Sequence, residues 1–295
     1  MLHNKMTRSD YIVESILIAI GIIICICILY PIINILSISL SADGPVLRNE
    51  VRLLPIGFTL KAYQEVLVNG GVLRAFGNSL IIALGGCVLS VAATYFAAYP
   101  LACCEFPGKK FYNIFVLIPM WFQGGMIPTY LCVQKLGLIN SYWSLILTSL
   151  ISSYHVLVLS SFLKGIPKEL LESARIDGAN EFKVMFRVVA PLAKASFATI
   201  ALWVIAAHWN SYFGPLLYIT QQDRYTLQQV LREIVLEANA LSYDLGTARP
   251  GQQSVQLADQ IRYAVLVVSM VPMIVIYPFV QKYFVKGVTL GAVKG

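Results

Sequence analysis

Six long apolar stretches alternate with shorter polar segments along the chain, at Ser15 to Leu40, Arg74 to Cys103, Phe111 to Gln134, Ser141 to Leu163, Ala195 to Ile219 and Tyr263 to Gln281. A bilayer core takes about 20 predominantly apolar residues per helical span, and each stretch is long enough. Backbone groups in lipid must be satisfied internally, which leaves helices and closed barrels. The runs lack the short apolar/polar alternation of barrel strands. The pattern therefore predicts an all-α, polytopic membrane protein with six transmembrane helices. The first apolar run is far longer than the roughly 7 to 15 residues of a secretion-signal core, so it reads as a retained helix.

Composition agrees: 58% of residues are hydrophobic and 13% charged, with a mean hydropathy of +0.71, against roughly a quarter charged in a soluble domain. Charge adds orientation, because Lys and Arg accumulate in cytoplasmic segments. With the N-terminus inside, segments 1–14, 104–110, 164–194 and 282–295 hold 13 of the 22 basic residues and 7 of the 15 acidic ones. Both termini are thus expected in the cytoplasm of a bacterial cell. The net charge of +7 reads as topology, not nucleic-acid binding, since no basic stripe with interleaved aromatics occurs outside the spans. Cys25, Cys27, Cys87, Cys103, Cys104 and Cys132 have neither CxxC spacing nor His neighbours and are expected to be small buried hydrophobes. No metal or cofactor set is expected.

One inner segment departs from this oily background. Lys164 to Lys194, with six basic and four acidic residues, is too polar for lipid and too regular for a slack loop. Pro167 suits a first helical turn, and Lys168 to Asp177 read as a helix stopped by Gly178. Leu170, Leu171 and Ala174 form a small apolar face on it. A second amphipathic run, Glu181 to Val189, is expected to end before Pro191. Two readings are open: packing flat on lipid headgroups, or docking of a protein. A membrane-surface helix concentrates Lys and Arg on its polar face, and the mixed signs here suit a protein partner better.

The stretch LLESARIDGAN, followed by Pro191 thirteen residues past Gly178, resembles the "EAA" loop of permease subunits from ATP-binding-cassette importers: Glu-Ala-Ala, three residues, Gly, then a later apolar-Leu-Pro. Ser173 replaces the middle Ala and Ala190 the usual Leu. GGMIPTYLCVQKLGLINSYWSLIL (Gly124 to Leu147) and QKYFVKGVTLGAVKG (Gln281 to Gly295) are similar to the carbohydrate branch, the group related to the smaller maltose permease subunit and the LplC-like permeases. The resemblance implies a type I ABC importer permease fold. It implies two cytoplasmic ATP-binding subunits, a homologous permease and an extracytoplasmic solute-binding protein as partners. It also implies a mechanism in which the helix at 168–178 docks in a cleft of the ATPase and moves rigidly with it. Glu172 is then the charge anchor and Gly178 the obligatory turn, with Ser173, Ala174, Arg175 and Asp177 around them. No G-x-x-x-x-G-K-[ST] phosphate loop occurs in the chain, so the chain itself is not expected to be an enzyme. The implied organisation is 1–73 (tail, first helix, outer loop), 74–284 (permease core with coupling loop 164–194 and outer loop 220–262) and 285–295 (tail).

The outer loops hold a short helix around Leu60 to Val68 and a long polar stretch, Thr220 to Arg262. Ala238 to Ser254 are expected either to pack as a loop or to reach the binding protein. No span places Asp, Glu, Lys or Arg near its centre, which argues against a proton- or ion-coupled carrier. A sugar path should offer aromatic faces and amide or hydroxyl groups, and Trp121, Gln123, Trp209, Asn210 and Tyr212 are the candidates. His155 and His208 are expected to be interhelical hydrogen-bonding groups. The alternatives are the same importer carrying a peptide or another polar solute, and an ATP-independent channel or scaffold.

Overall fold

A computed structural model describes residues 8–68, 71–244 and 260–278. It is helical, with no strand among the described residues. In chain order the helices are α1 (Arg8–Ser39), α2 (Asp43–Leu47), α3 (Lys61–Val68), α4 (Gly71–Cys103), α5 (Lys109–Trp121), α6 (Met126–Lys135), α7 (Tyr142–Thr148) and α8 (Ser153–Lys164). There follow α9 (Lys168–Ile176), α10 (Glu181–Leu192), α11 (Lys194–Asn210), α12 (Phe213–Tyr218), α13 (Leu227–Asp244) and α14 (Gln260–Pro278).

The six apolar stretches are realised in two ways. α1, α4 and α14 are single rods long and apolar enough to cross a membrane, while the other three stretches are bent. α5 and α6, of 13 and 10 residues, are about 20 and 15 Å long at 1.5 Å per residue, and neither alone reaches across a core of roughly 30 Å. They meet at 111°. The break falls at Gly124 and Gly125, where Gly125 has φ +80°, a conformation that a side chain disfavours. α7 and α8 meet at 54° across Ser149 to Ser152, and α10 and α11 at 80°.

The second amphipathic run does not stop before Pro191 but continues to Leu192. Val184 to Val189 widen into a π-helical turn, which hands over to α-helix at Ala190. Pro191 then sits in the first turn of that last segment, where its missing N–H is no loss. The long outer stretch is also more ordered than its polarity suggests, since α13 fills Leu227 to Asp244. Leu227, Val230, Leu231, Ile234 and Val235 recur at helical spacing, a signal legible in the sequence. Of Ala238 to Ser254, the backbone as far as Asp244 belongs to α13. The rest, and the tail from Gln281 to Gly295, lie outside the described residues.

The chain forms two compact units, one from the described parts of 1–70 and 231–269 and one from those of 71–230 and 270–295. In the first, the end of α1 is pinned to the following loop. The Asn34 amide donates to the Val51 and Arg52 carbonyls (3.4 and 2.7 Å) and the Ser37 hydroxyl to Leu53 (2.7 Å). The apolar stretch of α1 is otherwise uncovered by the described residues, as suits a helix facing lipid or another subunit. In the second unit α4 packs on α8 and α11, around Ala98, Val156, Leu159 and Ile200. The cysteines follow this division: Cys87 is buried at that core, Cys103 and Cys104 are half-buried, and Cys25, Cys27 and Cys132 are exposed. The expectation of six buried thiols therefore holds only where this chain packs on itself.

Candidate functional site: a braced helix-turn-helix and a cavity

α9 leaves Pro167, which caps the helix one position earlier than expected, and ends at Gly178. The Gly178 N–H bonds the Arg175 carbonyl and the Ala179 N–H the Ala174 carbonyl, both at 3.0 Å. This is a Schellman stop, whose left-handed residue is Gly178 at φ +78°. A Cβ there would meet no atom within 4 Å, so the requirement for glycine is conformational and not steric. Asn180 then caps α10, its side-chain oxygen accepting from the Lys183 N–H at 2.9 Å.

The helix has two faces at the spacing of helical neighbours. Leu171 is buried, with Ala174 and Arg175 half-buried beside it; Glu169, Glu172, Ser173 and Ile176 are exposed. The six residues singled out in the loop thus divide. Glu172, Ser173, Asp177 and the Gly178 turn face outward, whereas Ala174 and Arg175 face the body of the protein. Sequence reasoning missed the apolar tip, where Ile176 is 86% and Phe182 67% exposed on either side of the turn.

The inward face is held by groups that the motif does not name. The Arg175 guanidinium donates from Nε to Glu181 Oε1 (2.8 Å) and from a terminal nitrogen to the Cys103 carbonyl (3.0 Å). The Tyr99 hydroxyl donates to Glu181 Oε2 (2.7 Å), and the Tyr95 hydroxyl to the Met185 carbonyl (2.6 Å) inside the π-turn. Tyr95, Tyr99 and Cys103 are successive i, i+4 positions of α4, so one line along that long helix grips both α9 and α10. The spacing was visible in the sequence, but nothing in it said which partner the line would meet. The hydrogen bond from Arg175, aided by that from Tyr99, holds the Glu181 carboxyl below the ordinary carboxylate value, against the opposing effect of desolvation. Arg175 is correspondingly raised by Glu181.

A second feature lies between α4, the broken α7–α8 pair and α11. It is a cavity of ≈ 430 Å³ whose polar lining includes Thr148, Ser149, Ser152, His155, His208 and Ser211. The five pathway candidates are not part of this lining. Trp121, Gln123, Asn210 and Tyr212 are exposed, and the Asn210 amide donates to the Ala206 carbonyl at 2.9 Å. Trp209 is buried edge-on against Phe76, with ring centroids 5.5 Å apart. Its neighbours His208 and Ser211 do reach the cavity. The two histidines serve packing more than bridging: His155 stacks on Trp203 (5.7 Å) and its shielded Nδ1 has no partner among the described residues, while His208 lies against Gly86. The cluster of hydroxyls at the α7–α8 break was the available signal.

These features define an all-helical integral membrane protein that carries a braced helix-turn-helix between two of its apolar stretches. Residues 110–290 match the family described as binding-protein-dependent transport system inner membrane component, and the chain belongs to that family. It is 36% identical to Protein LplC of Bacillus subtilis (strain 168), over 90% of this chain and 89% of that one. It is 34% identical to the polygalacturonan/rhamnogalacturonan transport system permease protein YtcP of the same organism, over 92% and 93%. Its fold matches a chain in the crystal structure of a bacterial ABC transporter involved in the import of the acidic polysaccharide alginate, with TM-score 0.85, 28% identity and coverage of 95% and 99%. The chain is therefore a membrane-embedded transport component.

Proposed function

We propose that this chain is a permease subunit of an ATP-binding-cassette importer that carries an oligosaccharide or polysaccharide fragment into the cytoplasm. The observation that carries the reading is similarity over more than nine-tenths of this chain to transport proteins whose named cargo is polysaccharide. Two ATP-binding subunits hydrolyse ATP, a homologous permease completes the path, and a solute-binding protein delivers the cargo from outside. Both termini lie in the cytoplasm.

α9 is the contact with the ATPase. Its outward face offers Glu172 and Ser173 for polar contact and Ile176 with Phe182 as an apolar tip, and the Gly178 turn fixes where that tip points. Ala174 and Arg175 act through the body of the protein and brace the helix. Closure of the ATPases then displaces α9 and α10 together, and Tyr95, Tyr99 and the Cys103 carbonyl pass the displacement to α4. An uncharged path and the absence of a phosphate loop support an externally powered carrier.

The test uses the reconstituted complex with its binding protein. A polysaccharide fragment is expected to stimulate ATP hydrolysis, and a cross-linker at Ser173→Cys to capture the ATPase subunit. Hydrolysis indifferent to every saccharide offered would sink the cargo reading. A Ser173→Cys protein that takes up solute but never captures the ATPase would sink the coupling reading.

A further inference from the structure

We infer that the cavity at the α7–α8 break is a binding site for an uncharged sugar unit, contained within this one subunit, with His155 and His208 as its principal hydrogen-bonding groups. The inference deepens the carbohydrate reading and rests on it. The volume, ≈ 430 Å³, falls in the range of roughly 300–1,000 Å³ typical of small-molecule pockets. The lining is largely apolar, with hydroxyl and imidazole groups set into it, and contains no Asp, Glu, Lys or Arg among the described residues. A carboxylate or ammonium inside it would find no opposite charge in the lining to pair with.

The hydrogen-bonding inventory points to a polyol. The Thr148 hydroxyl donates to the Ser144 carbonyl (2.7 Å) and the Ser149 hydroxyl to Leu145 (2.8 Å). Their protons are spoken for, and each turns only lone pairs toward a ligand. A neutral imidazole adds one donor and one acceptor, and the His155 and His208 rings both line the cavity. A sugar hydroxyl both donates and accepts, so it can satisfy these groups together. The break contributes to the site directly: Thr148, Ser149, Ile151 and Ser152, at the 54° bend between α7 and α8, all line the cavity. Trp203, stacked behind His155, holds the imidazole in place.

The experiment measures equilibrium binding to the purified transporter complex without its binding protein. The probes are galactotriose and trigalacturonate, matched in linkage and differing in oxidation at C6. Galactotriose is expected to bind the wild type and to bind His155→Phe about tenfold more weakly, the loss of one hydrogen bond to a buried group. The variant ring still fills the space against Trp203, and His155→Asn, which restores a polar atom, is expected to recover most of the affinity. Should His155→Phe fail to assemble, Ser152→Ala decides, with weakening of about threefold expected for a lost neutral hydrogen bond. Absence of galactotriose binding, affinity unchanged in both variants, or tighter binding of trigalacturonate overturns the site. Saccharide uptake by the complete wild-type transporter is measured in parallel. Uptake without binding removes only the cavity site, whereas failure of uptake for all saccharides removes the carbohydrate reading and this inference with it.

Discussion

Gly178 shows how one residue sets the loop's geometry. A Cβ would meet no atom within 4 Å there, and yet its φ of +78° is a conformation that costs an L-residue about 1–2 kcal/mol and a β-branched one more. Gly178→Val is therefore expected to redirect the chain after α9 and to abolish most solute-stimulated ATP hydrolysis in membranes where the protein is still inserted. Gly178→Asn, whose side chain tolerates the left-handed region, should keep the greater part of it. Equal activity of the two variants would show that the turn's handedness is irrelevant to transport. The sequence made this glycine legible, because its place after an amphipathic helix is a stop signal. It did not reveal that Arg175, in the same motif, faces inward.

At the level of elements, the contact that matters joins α4 to the α9–α10 pair through Glu181. The carboxylate is half-exposed in its pair with Arg175, so solvent screening limits the ion pair to about 1 kcal/mol or less. Tyr99 adds a hydrogen bond in a less exposed setting. A carboxyl held below its ordinary value contributes stability above that value, near pH 4.3, and loses it as pH falls through the depressed one. Amide protection in α9 and α10, taken relative to the intrinsic exchange rate at each pH, should accordingly be steady from neutral pH down to about 5 and fall only in stronger acid. In Glu181→Gln the acid-dependent part should vanish, with exchange raised throughout. A transition near pH 6 to 7 would point to a histidine and away from this carboxylate. The π-turn at Val184 to Val189 belongs to the same contact, because Tyr95 donates to the Met185 carbonyl there. Sequence periodicity alone gave an α-helix ending before Pro191.

For the whole molecule, the distribution of Lys and Arg predicts a helix-turn-helix inside the cell, and that orientation is directly measurable. In a background lacking the six native cysteines, Ser173→Cys is expected to react with a membrane-impermeant maleimide in inside-out vesicles and to be protected in intact cells. Labelling from the outside would invert the topology and separate the loop from any cytoplasmic ATPase. α1 bears on the same scale. Its apolar length is uncovered by the described residues, as expected of a helix set against lipid or a partner subunit.

Helix class, the apolar stretches, charge asymmetry and the stop at Gly178 were determined by the order of residues alone, because lipid solvation and backbone sterics act on local stretches about 20 residues long or shorter. Which spans run straight and which bend was decided by tertiary packing, since a Gly-Gly pair or a run of serines permits a break without prescribing its angle. The division of the loop into an outward face at Glu172, Ser173 and Ile176 and an inward brace at Arg175 also required the fold. So did the cavity at His155, which exists only where α4, α7, α8 and α11 converge. Contacts between residues some 80 positions apart, such as Tyr99 with Glu181, leave no local periodicity by which one partner could announce the other.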